Sequence, residues 1–379
     1  MAEAIISPGV FQQETDQSFY TATPQVVGTA LVGPTVKGAP FVPTYITNYN
    51  QFVSLYGDIF KSGSYYYEYF TSLAAKDYFA NGGNTLLVTR IISGSDNLDA
   101  YASSSIKPSG SALSTFTLET LAWGDLMNNS GSETSGALAN GTAQNIRWEI
   151  AASSTKTGLF TLLIRRGDDT KAQKNVLETW SNLSLDPQLP NYISRVIGDK
   201  KPIPDPATGT VTYTGNYANK SAYIRVKSVD KVMANSLDNN GNFKSSSYSG
   251  NMPTIGSSGS FGGVIPDTTL PKKMYNTIGN GTSSGTNIQG FLATDYTNAF
   301  KILADKDRFQ FNVLLAPGLT LGSSLAAVNN MINLVETRGD AVAITDATLY
   351  GATINDAVTN ASGFLSNYTA TYYPWVQVY

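Results

Sequence analysis

The chain has 379 residues and a net charge of −3, and only 14% of its residues are charged, against about 25% in a typical soluble protein. It contains no cysteine and no histidine, which excludes disulfides, thiolate metal sites, cysteine nucleophiles and Ser-His-Asp catalysis. It holds no dense Lys/Arg cluster and no apolar run of about 18 residues, so we expect neither nucleic-acid binding nor membrane insertion.

The N-terminal stretch, residues 1–22, is polar and interrupted by Gly and Pro. It lacks the charged and apolar regions of a signal peptide, so we expect synthesis and folding in a cytoplasm. Within it, GVFQQE at 9–14 has the side-chain alternation of a short β-strand. Nothing else in this leader could pair with that strand.

Strands and helices alternate over residues 23–92. VVGTALVG at 26–33 predicts an apolar strand, and NYNQFVSLYG at 48–57 predicts a short helix with Asn48 or Asn50 as N-cap and Gly57 as its end. YYYEYFTSLAAKDYFAN at 65–81 places apolar residues on a 3.6-residue period and predicts a longer helix. TLLVTRII at 85–92 predicts a buried central strand.

Residues 93–290 are rich in Ser, Gly, Asn and Thr. Short alternating segments predict antiparallel strands joined by polar loops: STFTLETLAW (114–123), NIRWEIAAS (145–153), LFTLLIRR (159–166), VTYTG (211–215) and SAYIRVKSV (221–229). One helix-like piece, LPNYISRVIGD at 189–199, lies among them. We therefore predict that this region is a β-rich insertion, which is long enough for two subdomains.

Helices and strands alternate again from residue 291 to the end. The predicted helices are 293–307, capped by Thr294 or Asp295, then 324–339 and 354–368; the predicted strands are 309–318, 340–346 and 369–379. This rhythm favours a layered α/β sheet. We expect one discontinuous α/β domain, residues 23–92 plus 291–379, interrupted by the insertion 93–290, so that the whole chain is of the α+β type.

Three segments resemble ligand sites only in part. GPTVKGAP at 33–40 lacks the Gly-Lys-Ser/Thr ending of a phosphate loop, and we interpret it as a turn. SLDNNGNF places Asp238, Asn240 and Asn242 at Ca²⁺-loop spacing, but the loop has no closing glutamate, which favours a solvated turn. Tyr65–Tyr67 could form a sugar- or protein-binding platform, or the buried face of a helix.

Carboxylates offer the remaining chemistry. RRGDDTK at 165–171 could bind a divalent cation through its paired aspartates, but a charged hairpin turn is the favoured interpretation. Asp340 and Asp346 flank a predicted strand, and Asp346 is the best candidate for a catalytic carboxylate because strand ends carry such groups in α/β sheets. We expect no catalytic residue, cofactor or metal ion.

Several blocks then occur in a fixed order along the chain: SPGVFQQETDQS (7–18), GTALVGPTVKGAPFVPTYITNYNQFVSLYGD (28–58), DYFANGGNTLLVTRI (77–91), LETWSNLSLDPQLPNYISRVIGD (177–199), RGDAVAITD (338–346) and YTATYYPWVQV (368–378). In this order they resemble the contractile-tail sheath proteins of myovirus-type phages and related contractile injection systems. The stretches 95–145 and 200–290 resemble that family's variable surface insertions only in position and composition.

The resemblance implies a non-enzymatic structural polymer of the virion tail, assembled in the host cytoplasm. Sheath subunits stack as hexameric rings around an inner tail tube, between a baseplate and a tail terminator, and contract to drive the tube through the host envelope for genome delivery. Terminal arms of the family add strands to neighbouring subunits. Here the arm would be residues 1–22. Its donated strand would consist of Gly9, Val10, Phe11, Gln12, Gln13 and Glu14.

The last residues raise a separate expectation. In sheath proteins the YYPW strand leads into a C-terminal assembly domain, which has no counterpart in this sequence, so the chain would be a truncated and monomeric form. Two other functions stay open. The Tyr-rich segment and the Ser/Asn-rich insertion would also suit a receptor- or glycan-binding viral surface protein, and Asp346 would be required in a carboxylate-dependent enzyme.

Overall fold

The computed structural model describes residues 28–62, 65–92, 98, 101–123, 133–139, 141–262, 291–322, 325–363 and 365–376. The predicted arm strand 9–14 lies outside the described residues. The strands are β1 Thr29–Gly33, β2 Thr44–Ile46, β3 Ile59–Ser62, β4 Tyr65–Glu68, β5 Leu86–Arg90, β6 Tyr101–Ile106, β7 Phe116–Trp123, β8 Glu133–Thr134, β9 Ala137–Leu138, β10 Ile146–Ser154, β11 Leu159–Arg166, β12 Val176–Ser184, β13 Lys201–Asp205, β14 Thr210–Thr214, β15 Ile224–Val229, β16 Ser258–Ser260, β17 Val313–Thr320, β18 Val342–Asp346 and β19 Thr369–Tyr372. The helices are α1 Tyr49–Tyr56, α2 Phe70–Ala80, α3 Ile193–Ile197, α4 Ser246–Ser249, α5 Ala293–Leu303, α6 Leu325–Arg338 and α7 Ile354–Ser362.

Strands from both ends of the described chain form one six-stranded sheet in the order β19-β18-β17-β1-β5-β2. All neighbouring pairs are parallel except β2 with β5. Parallel neighbours need crossover connections, and helices supply most of them here. The sheet joins the two α/β segments of the sequence, although the domain boundaries 23–92 plus 291–379 stay a prediction.

Helices cover both faces of this sheet. Ala30, Val32 and Leu87 pack in one core with residues of α5 and α6, whereas Leu31 and Val88 pack in another with residues of α1 and α2. Successive side chains of a strand point to opposite faces, so a strand buried on both sides is a continuous apolar run. The layered α/β class predicted from the sequence is confirmed.

The middle of the chain forms smaller antiparallel sheets, with orders β12-β11-β10-β16, β15-β7-β6 and β13-β14. A separate core unites the first two of these sheets, in which the rings of Phe116 and Phe160 stack with centroids 5.4 Å apart. Val211 of β14 instead packs in the core of the six-stranded sheet. The five predicted strands of this region and the helix α3 are present. The sequence did not predict strand β12, because apolar and polar residues do not alternate regularly along it and only its last two residues are buried.

Local end signals placed two helices correctly. The Asn48 side chain accepts a hydrogen bond from the Gln51 backbone N–H at 2.8 Å, and α1 ends at Gly57, whose φ is 70°. Helix α6 ends before Gly339, with φ 71°. For α5 the N-cap is Leu292, two positions before Thr294 and three before Asp295, and Asp295 accepts a hydrogen bond from the Leu292 backbone N–H at 2.9 Å.

The predicted helix over 65–81 is wrong in its first third. Residues 65–68 form β4, which pairs antiparallel with β3, and the helix begins only at Phe70. Three consecutive tyrosines suit a strand as well as a helix, and the strand forms because a partner lies directly before it. Because these residues form a strand, the interpretation of Tyr65–Tyr67 as a helix face is also wrong, and the Tyr66 side chain is 70% exposed.

Candidate functional site

The last block of the chain is docked on the sheet edge. β19 pairs only with β18 among the described strands, from Ala343 opposite Thr369 to Asp346 opposite Tyr372. After the strand, Tyr373 donates a hydrogen bond from its hydroxyl to the Ala352 carbonyl at 2.9 Å. Trp375 Nε1 donates to the Thr348 carbonyl at 2.7 Å. The YYPW block therefore lies along the loop that precedes α7.

Exposed apolar side chains concentrate around this block. Of the twenty large apolar side chains exposed in the described residues, eight lie between residues 350 and 376: Tyr350, Ile354, Val358, Leu365, Tyr368, Tyr372, Tyr373 and Val376. Leu365 is 99% exposed. We call these eight residues the C-terminal apolar surface. Exposed apolar surface of this kind is typical of contacts with another protein.

The two candidate carboxylates of the sheet do not come together. Asp340 precedes β18 and forms a bidentate pair with Arg338, with both N···O distances at 2.9 Å. Arg338 also donates to the Phe309 carbonyl, so Asp340 orients a buried arginine that ties the end of α6 to the chain before β17. Asp346 ends β18, where burial raises the pKa of its carboxyl. Its side chain makes no hydrogen bond within the described residues.

The RRGDDTK segment ends β11 and begins the connection to its antiparallel neighbour β12, but its residues Arg165 and Asp169 are buried. Arg165 is fully buried, and its guanidinium contacts Asp169 at 2.7 Å and Glu149 at 2.6 Å. Arg147, on the neighbouring strand β10, contacts Glu133 at 2.6 Å and Asp169 at 3.5 Å. We call these five residues the buried ion-pair cluster. Each of its carboxylates contacts an arginine, so it holds no carboxylate pair suited to a cation.

The cluster depresses two carboxyl pKa values against the effect of burial. Burial alone would raise the pKa of Glu133, but hydrogen bonds from Lys171 and Ser258 and the charge of Arg147 bring it below its usual range. For Glu149, burial is likewise outweighed by Lys174 and Arg165. Both glutamates are therefore ionised at neutral pH. Glu133 ties the β8–β9 hairpin to β10 through Arg147, and Glu149 of β10 holds the β11–β12 connection through Arg165 and Lys174.

The remaining sequence candidates have plain structural roles. The Asp238 carboxylate accepts hydrogen bonds from the backbone N–H groups of Asn240 and Asn242, both at 2.8 Å, in an exposed turn. Both hydrogen bonds lower the pKa of Asp238, and the bond from Asn242 has the larger effect. No group of three or more acidic residues in the described part of the chain is placed to hold a metal ion. None of the described helices is long and apolar enough to cross a membrane.

Sequence reasoning missed Lys37. It belongs to GPTVKGAP, which we interpreted only as a turn, yet its side chain is only 6% exposed. The available signal was composition: a lone lysine among Val, Gly, Ala and Pro, followed by the apolar Phe41 and Val42. Such a setting is typical of a buried segment rather than of a solvated loop.

No family model and no curated protein sequence matches the chain. Among solved structures, one from Listeria innocua is similar at a TM-score of 0.40 and 10% identity, over 84% of this chain and 48% of that one. Another, from Desulfitobacterium hafniense, is similar at 0.32 and 11% identity, over 93% of this chain and 60% of that one. Both are sheath tail proteins. The chain thus spans about half to three fifths of the length of these two proteins, and alignments this loose carry no argument about function.

Proposed function

We propose that this chain is a non-enzymatic structural subunit of a contractile tail sheath. The observation that carries the proposal joins sequence to fold. Four of the six blocks that resemble sheath proteins contain β1, β2, β5, β18 and β19, and these strands from distant parts of the chain form one six-stranded sheet with β17. These four blocks are therefore parts of a single framework, whereas the block at 177–199 forms β12 and α3 in the insertion.

The C-terminal apolar surface supports an assembling protein. Ile354 and Val358 lie one turn apart on α7 and are 67% and 61% exposed, so this helix turns apolar side chains outward. An apolar face left uncovered in one subunit favours association with another protein surface. A subunit of a helical polymer presents such faces to its neighbours in the lattice.

In this proposal the partners are further copies of the subunit in hexameric rings, an inner tail tube, a baseplate and a tail terminator. The subunits move nearly as rigid bodies between an extended and a contracted lattice, which delivers the genome through the host envelope. The arm strand, residues 9–14, adds to a neighbour's sheet and keeps the lattice continuous. The protein is a virion tail component that needs no cofactor.

Immunogold electron microscopy of particles from the source of this chain tests the proposal. Antibodies against exposed loops of the insertion, such as 238–242, should label the tail shaft at many positions along its length. Preincubation of the antibody with purified chain should remove the label. Label confined to fibre tips or to the distal end of the particle would reject the sheath and favour the receptor- or glycan-binding alternative.

The arm can be tested separately. Gln12→Pro removes a backbone N–H from the proposed strand and should reduce incorporation of the subunit into tails, because proline interrupts a β-ladder. Gln17→Pro, outside that strand, is the matched control and should incorporate normally. Equal incorporation of both variants would contradict strand addition at residues 9–14 and leave the sheath assignment untouched.

A further inference from the structure

A cavity of about 240 Å³ lies where the loop between β1 and β2 meets β7 and β15. Its wall is mostly apolar, formed by Val42, Leu55, Leu121, Ala122 and Pro202. At about 30 Å³ per water molecule the cavity has room for about eight waters, which is less than a drug-sized ligand needs. It suits a small molecule or a single side chain.

Lys37 brings a positive charge to this cavity. Its side chain is 6% exposed, and its amino group makes no hydrogen bond or ion pair with any described residue. The nearest aromatic face, the Tyr223 ring, has its centroid 5.9 Å from Nζ. Burial lowers the pKa of Lys37 to about 8, while the more distant charge of Asp58 acts in the opposite direction. A buried ammonium group without a counter-ion is costly, and an anion beside it would relieve that cost.

The backbone holds Lys37 in place without any ligand. Its N–H donates to the Tyr56 carbonyl at 2.9 Å, and its carbonyl accepts from the Thr35 hydroxyl at 2.8 Å. Gly38 follows with φ 114°, and a Cβ there would lie 2.7 Å from the Tyr56 ring. The chain reverses at a position where only glycine fits, so the lysine is preorganised at the cavity.

The other charged group of the cavity wall is paired, and two of its hydroxyl groups donate hydrogen bonds within the protein. Arg225 contacts Glu119 at 2.6 Å, so its charge is neutralised. The Tyr56 hydroxyl donates to the Val88 carbonyl, and the Ser54 hydroxyl donates to that of Tyr223, both at 3.3 Å. Within the described lining, Lys37 is left as the one unpaired charge.

We propose that this cavity binds a carboxylate carried on a short apolar body. One cation matches one monoanion, and an apolar wall matches an organic group rather than an inorganic ion. A phosphate dianion would be matched by several charged donors, and Lys37 is the one charged donor of the described lining without an ion pair. The carboxylate comes from a small free acid or from an acidic side chain of another protein, since both present the same chemistry.

Calorimetric titration of the full chain at pH 7 tests this site with 3-phenylpropionate, its neutral amide, acetate and N-acetylglutamate amide. We expect 3-phenylpropionate to bind, the neutral amide not to bind and acetate to bind more weakly. Lys37→Met should reduce the affinity about 10- to 100-fold, the value of one hydrogen bond to a charged group. Lys156→Met, which removes an exposed lysine from the β10–β11 turn, is the matched control and should bind as the wild type does.

The two acids separate the sources of the ligand. Binding of the glutamate probe alone assigns the cavity to a protein side chain, and binding of 3-phenylpropionate alone assigns it to a small acid. Lys37 acetylation by an amine reagent, measured by mass spectrometry on the wild type, gives a second readout that does not depend on the variant's folding. Absence of binding by both acids, or binding that neither protects Lys37 nor responds to Lys37→Met, would overturn the proposal.

Discussion

Arg165 and Asp169 are joined by two parallel hydrogen bonds inside the insertion, from Nε to Oδ2 at 2.7 Å and from Nη2 to Oδ1 at 2.8 Å. Arg165 ends a strand and Asp169 lies in the turn that follows, so the pair fixes the geometry of that turn. Asp169 also accepts from the Asn175 backbone N–H at 2.9 Å. One carboxylate thus closes the loop between β11 and β12 from inside.

Loss of this carboxylate should destabilise the protein. Asp169→Asn leaves a fully buried guanidinium short of a counter-charge and should lower the free energy of unfolding by about 3 kcal/mol, near the low end for a broken buried pair because Glu149 still contacts Arg165. Urea denaturation followed by tryptophan fluorescence measures the change. Asp168→Asn in the partly exposed pair with Arg166 is the control and should cost less than about 1 kcal/mol. Equal losses would show that burial of the pair is unimportant.

The stability of the insertion should fall in acid. In the folded protein, the pKa values of Glu133 and Glu149 lie below the usual range of a glutamate carboxyl. A depressed pKa contributes stability that is present above the unfolded pKa and is lost as the pH falls through the folded one. We therefore expect the urea midpoint to be constant from pH 7 to about 5 and to decline below about 4.5. In Glu133→Gln and Glu149→Gln the decline should be shallower and start from a lower value.

The control for this pH dependence is Glu336→Gln. Glu336 is exposed on α6 and forms no ion pair with another described residue. Its pH profile should follow that of the wild type at every point. If all three variants showed the same slope below pH 4.5, the buried ion-pair cluster would not be the source of the acid sensitivity.

The burial of this cluster could not be predicted from the sequence, whereas α1 could. Asn48 and Gly57 act on residues within one turn, so their roles are visible in ten letters of sequence. Arg165 is buried because Arg147 and Glu149 lie on the adjacent strand and Glu133 on a separate hairpin. Contacts between segments distant in sequence decide such burial, and spacing along RRGDDTK does not contain them.

The same distinction explains the strands and helices. The continuous apolar runs of β1 and β5 show that both faces of the sheet are covered. The residues Tyr65–Glu68 are compatible with the side-chain period of a helix and with that of a strand, and pairing with β3 makes them a strand. Lys37 lies in a cavity because β7 and β15, more than 80 residues away along the chain, form part of the wall around it. No pattern near Lys37 in the sequence contains that contact.

Replacement of Asp346 should stabilise the protein at neutral pH, whereas replacement of Asp169, Glu133 or Glu149 should destabilise it. Burial raises the pKa of this carboxyl, so its ionisation disfavours the folded state, and that penalty appears as the pH rises through the folded pKa. Asp346→Asn should therefore raise the urea midpoint at pH 7 and leave it unchanged at pH 3. A lower midpoint at pH 7 would show that the charge is stabilised by a partner. Loss of an enzymatic activity in this variant would instead support the carboxylate-dependent enzyme.

The N-cap of α1 should have a measurable share in stability. Asn48 Oδ1 accepts from the Gln51 N–H at 2.8 Å, which satisfies one of the unpaired donors at the helix start. Asn48→Ala should lower the free energy of unfolding by about 1 kcal/mol, and Asn48→Ser should restore most of it because serine is also a good cap. Equal losses in the two variants, measured by urea denaturation, would mean that the side-chain bond is not the cause.

Changes on the C-terminal apolar surface should affect association more than folding. Ile354 and Val358 are exposed on α7, so replacing both with serine makes this surface more polar without opening a cavity in the core. The double variant should bind less of an apolar fluorescent dye and self-associate less in sedimentation velocity, while its thermal midpoint shifts little. Ile255→Ser, at a similarly exposed residue in the insertion, is the matched control and should leave sedimentation unchanged. A large drop in thermal midpoint for the double variant would instead show that α7 uses these side chains to hold the fold together.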